Sequence, residues 1–487
     1  MKSIWYPARP GARVADVTQQ LTLPRLAPPR SLLSTAGLAT VLLGAFLPSL
    51  DFFVVNVALP TIEHDLAAGP AVLELIAAGY GITFAVLLVL GGRLGDAIGR
   101  RRLFLYGAVA FAVTSLACGL APDAWSLVVG RAAQGAAAAL LIPQVLGTIT
   151  AATEGHRRAR ALSVYGAAGG VAVVVGQVLG GLLVAADLFG TGWRSVFLLN
   201  VPFALLAALL ALRHVPENRA DRATGLDLPG TALLTVALLA LFVPLTEGRA
   251  LGWPVWCWVL LAAFPILGWA FVAVELRTER AGAVPLLPFS LLRLPEMRRG
   301  LGIALPYFTG FGGFMFVIAV LLQQGLGLGP VTAGWALVPM AVGYFCASLA
   351  GPRLVGRFGS RVVTLGAVVQ ALGLTTLAAT ALTTDLTPLR MLPGVALAGI
   401  GQGLIGTPLF RIVLSRVPAT RAGVGSGVLA TTQQSSLALG VATLGTLYLT
   451  LTPALGAAHA LTVVLAVQTC GSVAILLLSL RLPRSVA

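Results

Sequence analysis

The chain is poor in charge. Charged residues make up 10% of its 487 positions, against about 25% in ordinary soluble domains. Lysine is nearly absent: of 32 basic residues only Lys2 is not an arginine. A phosphate-binding P-loop needs Gly-Lys-Ser/Thr, so ATP is not the direct fuel within this chain. The four histidines (His64, His156, His214, His459) all lie outside the middles of the apolar runs, which leaves a histidine proton relay without support. Cys118, Cys257, Cys346 and Cys470 stand singly, with neither metal-ligand nor disulfide spacing. No H-E-x-x-H or G-x-S-x-G motif occurs, which removes the obvious intramembrane proteases and lipid hydrolases. The stretch Gly401 to Gly406 fits G-x-G-x-x-G, but it lies in an apolar run with no preceding strand and reads as helix packing.

What the chain has in abundance is apolar length. With 57% hydrophobic residues, runs of the ~20 residues needed to cross a bilayer recur to residue 481, and no short alternating segments suggest a β-barrel. Fourteen spans are predicted, near 33–58, 72–92, 103–121, 125–152, 161–186, 194–212, 228–246, 253–274, 300–323, 332–351, 361–384, 389–413, 421–448 and 456–480. The net charge of +15 does not indicate nucleic acid, because nearly all the arginines fall in alternate loops and the tails. That distribution reports topology and contact with an anionic inner leaflet. Both termini are then cytoplasmic, and Trp125, Trp193, Trp253, Trp256, Trp258 and Trp335 fall at outer ends, as interfacial anchors do. Residues 1–32, with five prolines and no apolar core, read as a disordered cytoplasmic tail rather than a signal peptide. A second tail covers 482–487.

The loop GGRLGDAIGRRRL, Gly91 to Leu103, packs four glycines, four arginines and Asp96 between two spans. Gly92, Gly95 and Gly99 permit a tight turn, and Arg100 and Arg101 fix the side it faces. GPRLVGRFGSR, 351–361, matches its first eleven residues at five positions with an offset of 260, and Gln134-Gly135 reappears as Gln402-Gly403. A parallel internal repeat follows: six-helix halves at 33–212 and 300–481, with two inserted helices in 213–299.

The Gly91–Leu103 loop resembles the loop between spans 2 and 3 of the major facilitator superfamily. Four further segments resemble its fourteen-span drug:proton antiporter branch: LDFFVVNVALP from Leu50, RAAQG from Arg131, GVAVVVGQVLGG from Gly170, and WRSVFLLNVP from Trp193. TTQQSSLALG from Thr431 is a looser match. The resemblance implies an all-α polytopic membrane protein of the major facilitator fold, with fourteen spans and a central cavity. It implies a non-enzymatic multidrug or antibiotic exporter, monomeric, in the bacterial inner membrane, which exchanges an amphipathic small molecule for protons by alternating access. No cofactor beyond the proton gradient is expected. The alternatives are another solute on the same fold, such as a metabolite, siderophore or amino acid, or a non-transporting scaffold or receptor.

Asp51 lies nine residues inside Pro60, about 13 Å along a helix, where a carboxylate costs ~2.5–3.5 kcal/mol on insertion scales. Asp51 and Arg131, at similar depth, are the candidate proton-coupling pair; a structural polar contact and an outward-snorkelling arginine are the plainer readings. Asp96 resembles a group that closes an inner gate through loop arginines and a helix N-terminus. Gly176, Gly180 and Gly181 give close packing on span 5, with Gln177 where the exporter motif usually has a kink-prone proline. Asn56, Tyr80, Gln134, Gln144, Gln402 and Gln434, with Gln323, Gln324 and Gln433, are candidate cavity residues, although each taken singly reads more readily as a helix–helix hydrogen bond than as a ligand contact. Glu74 reads as an interfacial acid. No metal site is expected.

Overall fold

A computed structural model describes residues 33–187, 190–217, 227–248, 251–283, 285–287, 289–383, 385–418 and 422–482. The expected tails therefore lie outside the described residues apart from Leu482, as do the side chains of Asn56, Glu74 and Gln177. The described residues are helical throughout, with no strand among them.

The first bundle consists of α1 (Thr35–Leu66), α2 (Pro70–Ile98), α3 (Arg100–Gly119), α4 (Ala124–Ala152), α5 (Gly155–Ala186), the single turn α6 (Arg194–Leu198) and α7 (Asn200–His214). A helix pair follows, α8 (Leu228–Glu247) and α9 (Val255–Arg280), then the short α10 (Phe289–Leu292). The second bundle consists of α11 (Pro295–Val320), α12 (Pro330–Phe358), α13 (Arg361–Thr383), α14 (Pro388–Leu414), α15 (Ala422–Gly440), α16 (Thr446–Leu455) and α17 (Ala457–Ser479). π-helical turns at Leu321–Gly325 and Val441–Gly445 extend α11 and join α15 to α16.

Local sequence explains where these helices start and stop. Proline opens α2, α11, α12 and α14, where a missing N–H costs nothing and φ is already helical. Asp123 and Ser126 form a reciprocal capping box that starts α4. Gly99 and Gly359, at equivalent places in the two repeated loops, both take positive φ, 114° and 59°. Each ends a helix where a side chain would be strained.

Twelve helices among the described residues are long and apolar enough to cross a membrane, against fourteen expected. The two outside that number are α5 and α8. The apolar part of α8 shortens to Pro229–Leu245, slightly less than a ~30 Å hydrocarbon core requires. α5 is 32 residues long but glycine-rich.

Within the first bundle α2 packs on α4, α3 on α4 and α7, and α1 on α5; within the second, α14 packs on α12 and α13. The bundles meet along α5 against α12 and α2 against α15. The α8–α9 pair lies outside this seam, with α8 on α2. The glycines of α5 act through close approach: a Cβ on Gly180 would stand 2.9 Å from the Val54 carbonyl of α1, and one on Gly176 2.8 Å from the Leu50 carbonyl. Gly181 is buried as well. Trp125, Trp256, Trp258 and Trp335 are exposed on the bundle surface, whereas Trp193 is buried and is a packing residue rather than an anchor.

Candidate functional site

Asp51 of α1 and Arg131 of α4 form an ion pair, Oδ2 to Nη1 at 2.6 Å, with both side chains fully buried. Asn200, at the start of α7, donates to Asp51 Oδ1 at 2.6 Å, and Gln134 donates to the same oxygen at 3.1 Å. Arg131 Nη1 also donates to Gln134 Oε1, and its Nε to the Ile76 carbonyl of α2. Gln134 donates in turn to Ser115 Oγ of α3. Arg131 lies 4.5 Å from the Tyr80 ring and 5.7 Å from that of Phe197, a cation–π setting that favours a desolvated guanidinium. Arg131 Nη2 and Asn200 Oδ1 have no partner. A buried pair of this kind is costly to desolvate, and removing one partner is more costly still. The arrangement can exchange a proton at Asp51 for a change in what Arg131 holds.

Asp51 does not line the central cavity, although the next two residues do. Phe52, Phe53 and Phe84 from the first bundle, with Tyr165 of α5, form one wall; Tyr307, Phe308 and Phe311 of α11, Tyr344 of α12 and Phe410 of α14 form the other. Ser49, Gln433 and Gln434 add side-chain polarity, and among the described residues the lining contains no charged one. The cavity volume is about 60 Å³, room for a few waters and far below the ~300 Å³ of a small drug site. Tyr80 joins the two sites: its ring packs between Phe52 and Phe84, its hydroxyl donates to the Pro48 carbonyl, and its face lies against Arg131.

At the arginine-rich end, Asp96 pairs with Arg100 at 2.6 Å, both buried, and accepts from the Val424 backbone N–H in the first turn of α15. That amide has no partner within its own helix, and the carboxylate faces the positive end of the helix dipole. Gly92 belongs to the same contact, since a Cβ on Gly427 of α15 would lie 3.9 Å from its Cα. Arg101 donates its backbone N–H to Glu217 and pairs with it through Nε at 3.5 Å, while Glu217 also crowds Gly99. The expected loop is in fact helical apart from Gly99, with Gly92 and Asp96 on the last turns of α2 and Arg100 and Arg101 opening α3, and this α2–α3 junction is tied to both bundles. At the opposite end of α1, Trp193 Nε1 and Arg194 donate to Asp65 at 2.9 and 2.6 Å. These bonds hold its carboxyl below the usual carboxylate range.

Of the candidate cavity residues with described side chains, Gln434 lines the cavity, together with its neighbour Gln433. Tyr80 and Gln134 belong to the charge cluster. Gln144 is a clamp that donates to the Gly91 carbonyl and fills the space beside Gly95. Gln402 is buried with both amide atoms unpartnered. The aromatic lining escaped the sequence reading because phenylalanines in apolar runs look alike whichever way they face. Asn200 escaped as well, although WRSVFLLNVP carries it: the cluster is where the LDFF, RAAQG and WRSVFLLNVP segments converge.

A family model described as Major Facilitator Superfamily matches residues 41–441. The chain is similar to the "Probable actinorhodin transporter" of Streptomyces coelicolor, 41% identical over 416 residues that cover 85% of this chain and 72% of that protein. It is 37% identical over 424 residues to "Puromycin resistance protein pur8" of Streptomyces alboniger, which covers 84% of this chain and 81% of that one. The crystal structure of the human organic anion transporter MFSD10 (TETRAN) superposes with a TM-score of 0.65 at 16% identity, over 90% of this chain and 99% of that one, a likeness of fold alone.

Proposed function

The chain belongs to the major facilitator superfamily and has its all-helical fold, and on that premise we propose that it is a proton-driven exporter of an aromatic, amphipathic drug or antibiotic. The observation that carries this reading is one juxtaposition. A narrow cavity walled by aromatic side chains of both bundles lies one ring, Tyr80, away from a fully buried Asp51–Arg131 pair. Stacking on such walls favours flat rings, and the absence of a lining carboxylate disfavours a dication. Relatives named for actinorhodin transport and puromycin resistance are in keeping with this substrate class.

In this reading α5 and α8 also cross the bilayer, which completes fourteen spans of the drug:proton antiporter branch. The arginine-rich end faces the cytoplasm, as the positive-inside rule asks, so both termini are cytoplasmic in a monomer of the bacterial inner membrane. A proton reaching Asp51 neutralises it and leaves Arg131 held by Gln134 and the Ile76 carbonyl without its carboxylate, free to repack. Tyr80 passes that movement to Phe52 and the cavity wall. Asp96, with Arg100 and the α15 N-terminus, closes the cytoplasmic end, and the glycines of α5 let the bundles rock.

The test is efflux from a pump-deficient bacterial host, measured with and without a protonophore while ATP is held high. Export of flat aromatic compounds that stops with the proton gradient is expected. Export that continues without the gradient removes the antiport step, and a panel with no exported aromatic compound removes the substrate class.

A further inference from the structure

The inserted helices carry a second buried carboxyl site, apart from Asp51. Glu275 of α9 is completely buried, and its Oε2 accepts from the Leu287 backbone N–H at 2.7 Å. Its other oxygen meets no donor; what it faces is the carboxyl of Asp227, the residue that caps α8 by accepting from Gly230 N–H. Both carboxyls lie against Gly230, where a Cβ would collide with Glu275 Oε1 and stand 2.7 Å from Asp227 Oδ2. An ionised carboxylate only accepts hydrogen bonds, so this pair is satisfied with one proton between its members and repels itself with none.

The pair is wired to the α2–α3 junction through two peptide groups. Leu286 donates its N–H to Asp227 Oδ2 at 3.2 Å. The carbonyl of the same residue accepts from Arg93 Nε and Nη2 at 3.0 and 2.8 Å. Arg93 is buried on α2, three residues before Asp96. The Leu286 side chain packs with Val89 of α2 and Phe271 of α9, which keeps water from the site. Among the described residues, the charged groups facing Glu275 are Asp227 from α8 and Arg93 from α2. On α9 itself, Glu279 turns away to the Ser290 N–H.

We infer that Glu275 and Asp227 form a proton-binding site that latches the inserted helices to the α2–α3 junction. With one proton the pair is hydrogen-bonded and carries one negative charge opposite Arg93. Loss of that proton places two negative charges side by side, which drives Asp227 and Glu275 apart; the adjacent Leu286 and Leu287 N–H groups, one bonded to each carboxyl, can then no longer hold both, and the Leu286 carbonyl that anchors Arg93 is displaced. The site is distinct from Asp51 and acts at the end where Asp96 holds α15, so the inserted helices sense proton activity on the cytoplasmic side. Only that side assignment rests on the proposed orientation; the latch itself is independent of what is exported.

The test uses the purified full-length protein, so it does not depend on transport. Leu286→Cys reports the latch in a background where the exposed Cys346 and Cys470 are serine. Maleimide reaction at residue 286 is followed against pH, and each rate is divided by that of the same reporter carrying Glu275→Gln, which cancels the thiol's own ionisation. Gln mimics the protonated acid, so the ratio should rise at least tenfold as pH increases. Asp227→Asn, which still caps a helix, should flatten the rise, and Asp51→Asn should leave it intact. A ratio that does not change with pH overturns the proposal, as does a rise that survives Asp227→Asn. Should either variant misfold, infrared titration of the unaltered protein decides: a protonated-carboxyl band whose loss does not track Leu286→Cys labelling overturns it equally.

Discussion

Replacing Asp51 by Asn, Arg131 by Gln, and then both, isolates the coupling inside the charge cluster. At a centre-to-centre distance near 4 Å and an effective dielectric constant of 20, two unit charges interact by about 4 kcal/mol. Asp51→Asn leaves Arg131 as a buried cation with no carboxylate partner, although Gln134 Oε1, the Ile76 carbonyl and the Tyr80 ring still hold it, so a loss of about 3–5 kcal/mol is expected. Arg131→Gln is milder, because Asn200 and Gln134 still donate to Asp51 and a proton can neutralise it. A charged hydrogen bond, about 1.5–3 kcal/mol, sets that loss. The double variant holds no uncompensated charge and should fall short of the sum by roughly 2–4 kcal/mol. Denaturant unfolding in mixed micelles measures the four corners of the cycle. Losses that add to within about 0.5 kcal/mol would refute the pairing. In transport, Asp51→Asn should abolish proton-driven export while drug binding persists. Arg131→Lys should restore only part of the activity, since the ammonium cannot reach Asp51, Gln134 and the Ile76 carbonyl with one planar fork.

Asp96→Asn removes the charge facing Arg100 and the Val424 N–H. Turnover should fall about tenfold, equivalent to about 1.4 kcal/mol, while binding affinity and membrane level stay near normal; an affinity loss at unchanged turnover would contradict the gate. Asp65 is held below its usual value by Trp193 and Arg194, so its contribution is complete above about pH 4 and is lost as pH falls through the lowered value. Thermal stability in detergent should therefore show an acid limb below that pH that Asp65→Asn flattens.

The helices and the repeated loop were legible because long apolar runs, arginine placement and turn glycines act locally. The span number was less so, since α8 has a short apolar stretch and α5 trades apolar side chains for glycine. At the site, Asp51 and Arg131 stood out because charge in an apolar run is costly wherever it points. Their separation from the cavity was not legible. It depends on adjacent residues of α1 facing opposite ways, Asp51 into the bundle and Phe52 and Phe53 toward the other half. Nor could the sequence show that Gln144 and Gln134 face different neighbours from Gln434, because an amide serves a helix contact and a cavity wall equally well. The Glu275–Asp227 pair was hidden for another reason: its members are 48 positions apart in a stretch that reads as loop-flanked insertion.

The repeat sharpens what is special about the first half. Gly135 fits under the Tyr80 carbonyl, and Gly403, its equivalent, fits under the Tyr344 carbonyl; the backbone approach of the fourth helix to the second is thus built twice. The side-chain chemistry is not. The offset of 268 that relates Gln134 to Gln402 places Gly399 opposite Arg131, and Gly399 is pressed onto the Met340 carbonyl, leaving no room for a guanidinium. Gln402 accordingly keeps an unpartnered amide, while Gln134 is shared by Asp51, Arg131 and Ser115. Tyr80 spends its hydroxyl within its own bundle, on Pro48; Tyr344 reaches across the seam to the Gly166 carbonyl of α5. Both halves therefore give the cavity an aromatic wall, but of the two only the first places a buried ion pair behind it at these equivalent positions. The proposed exchange of a proton for an aromatic solute would use that division, because a charge that moves in the first half could alter the seam without exposing a second buried charge in the other.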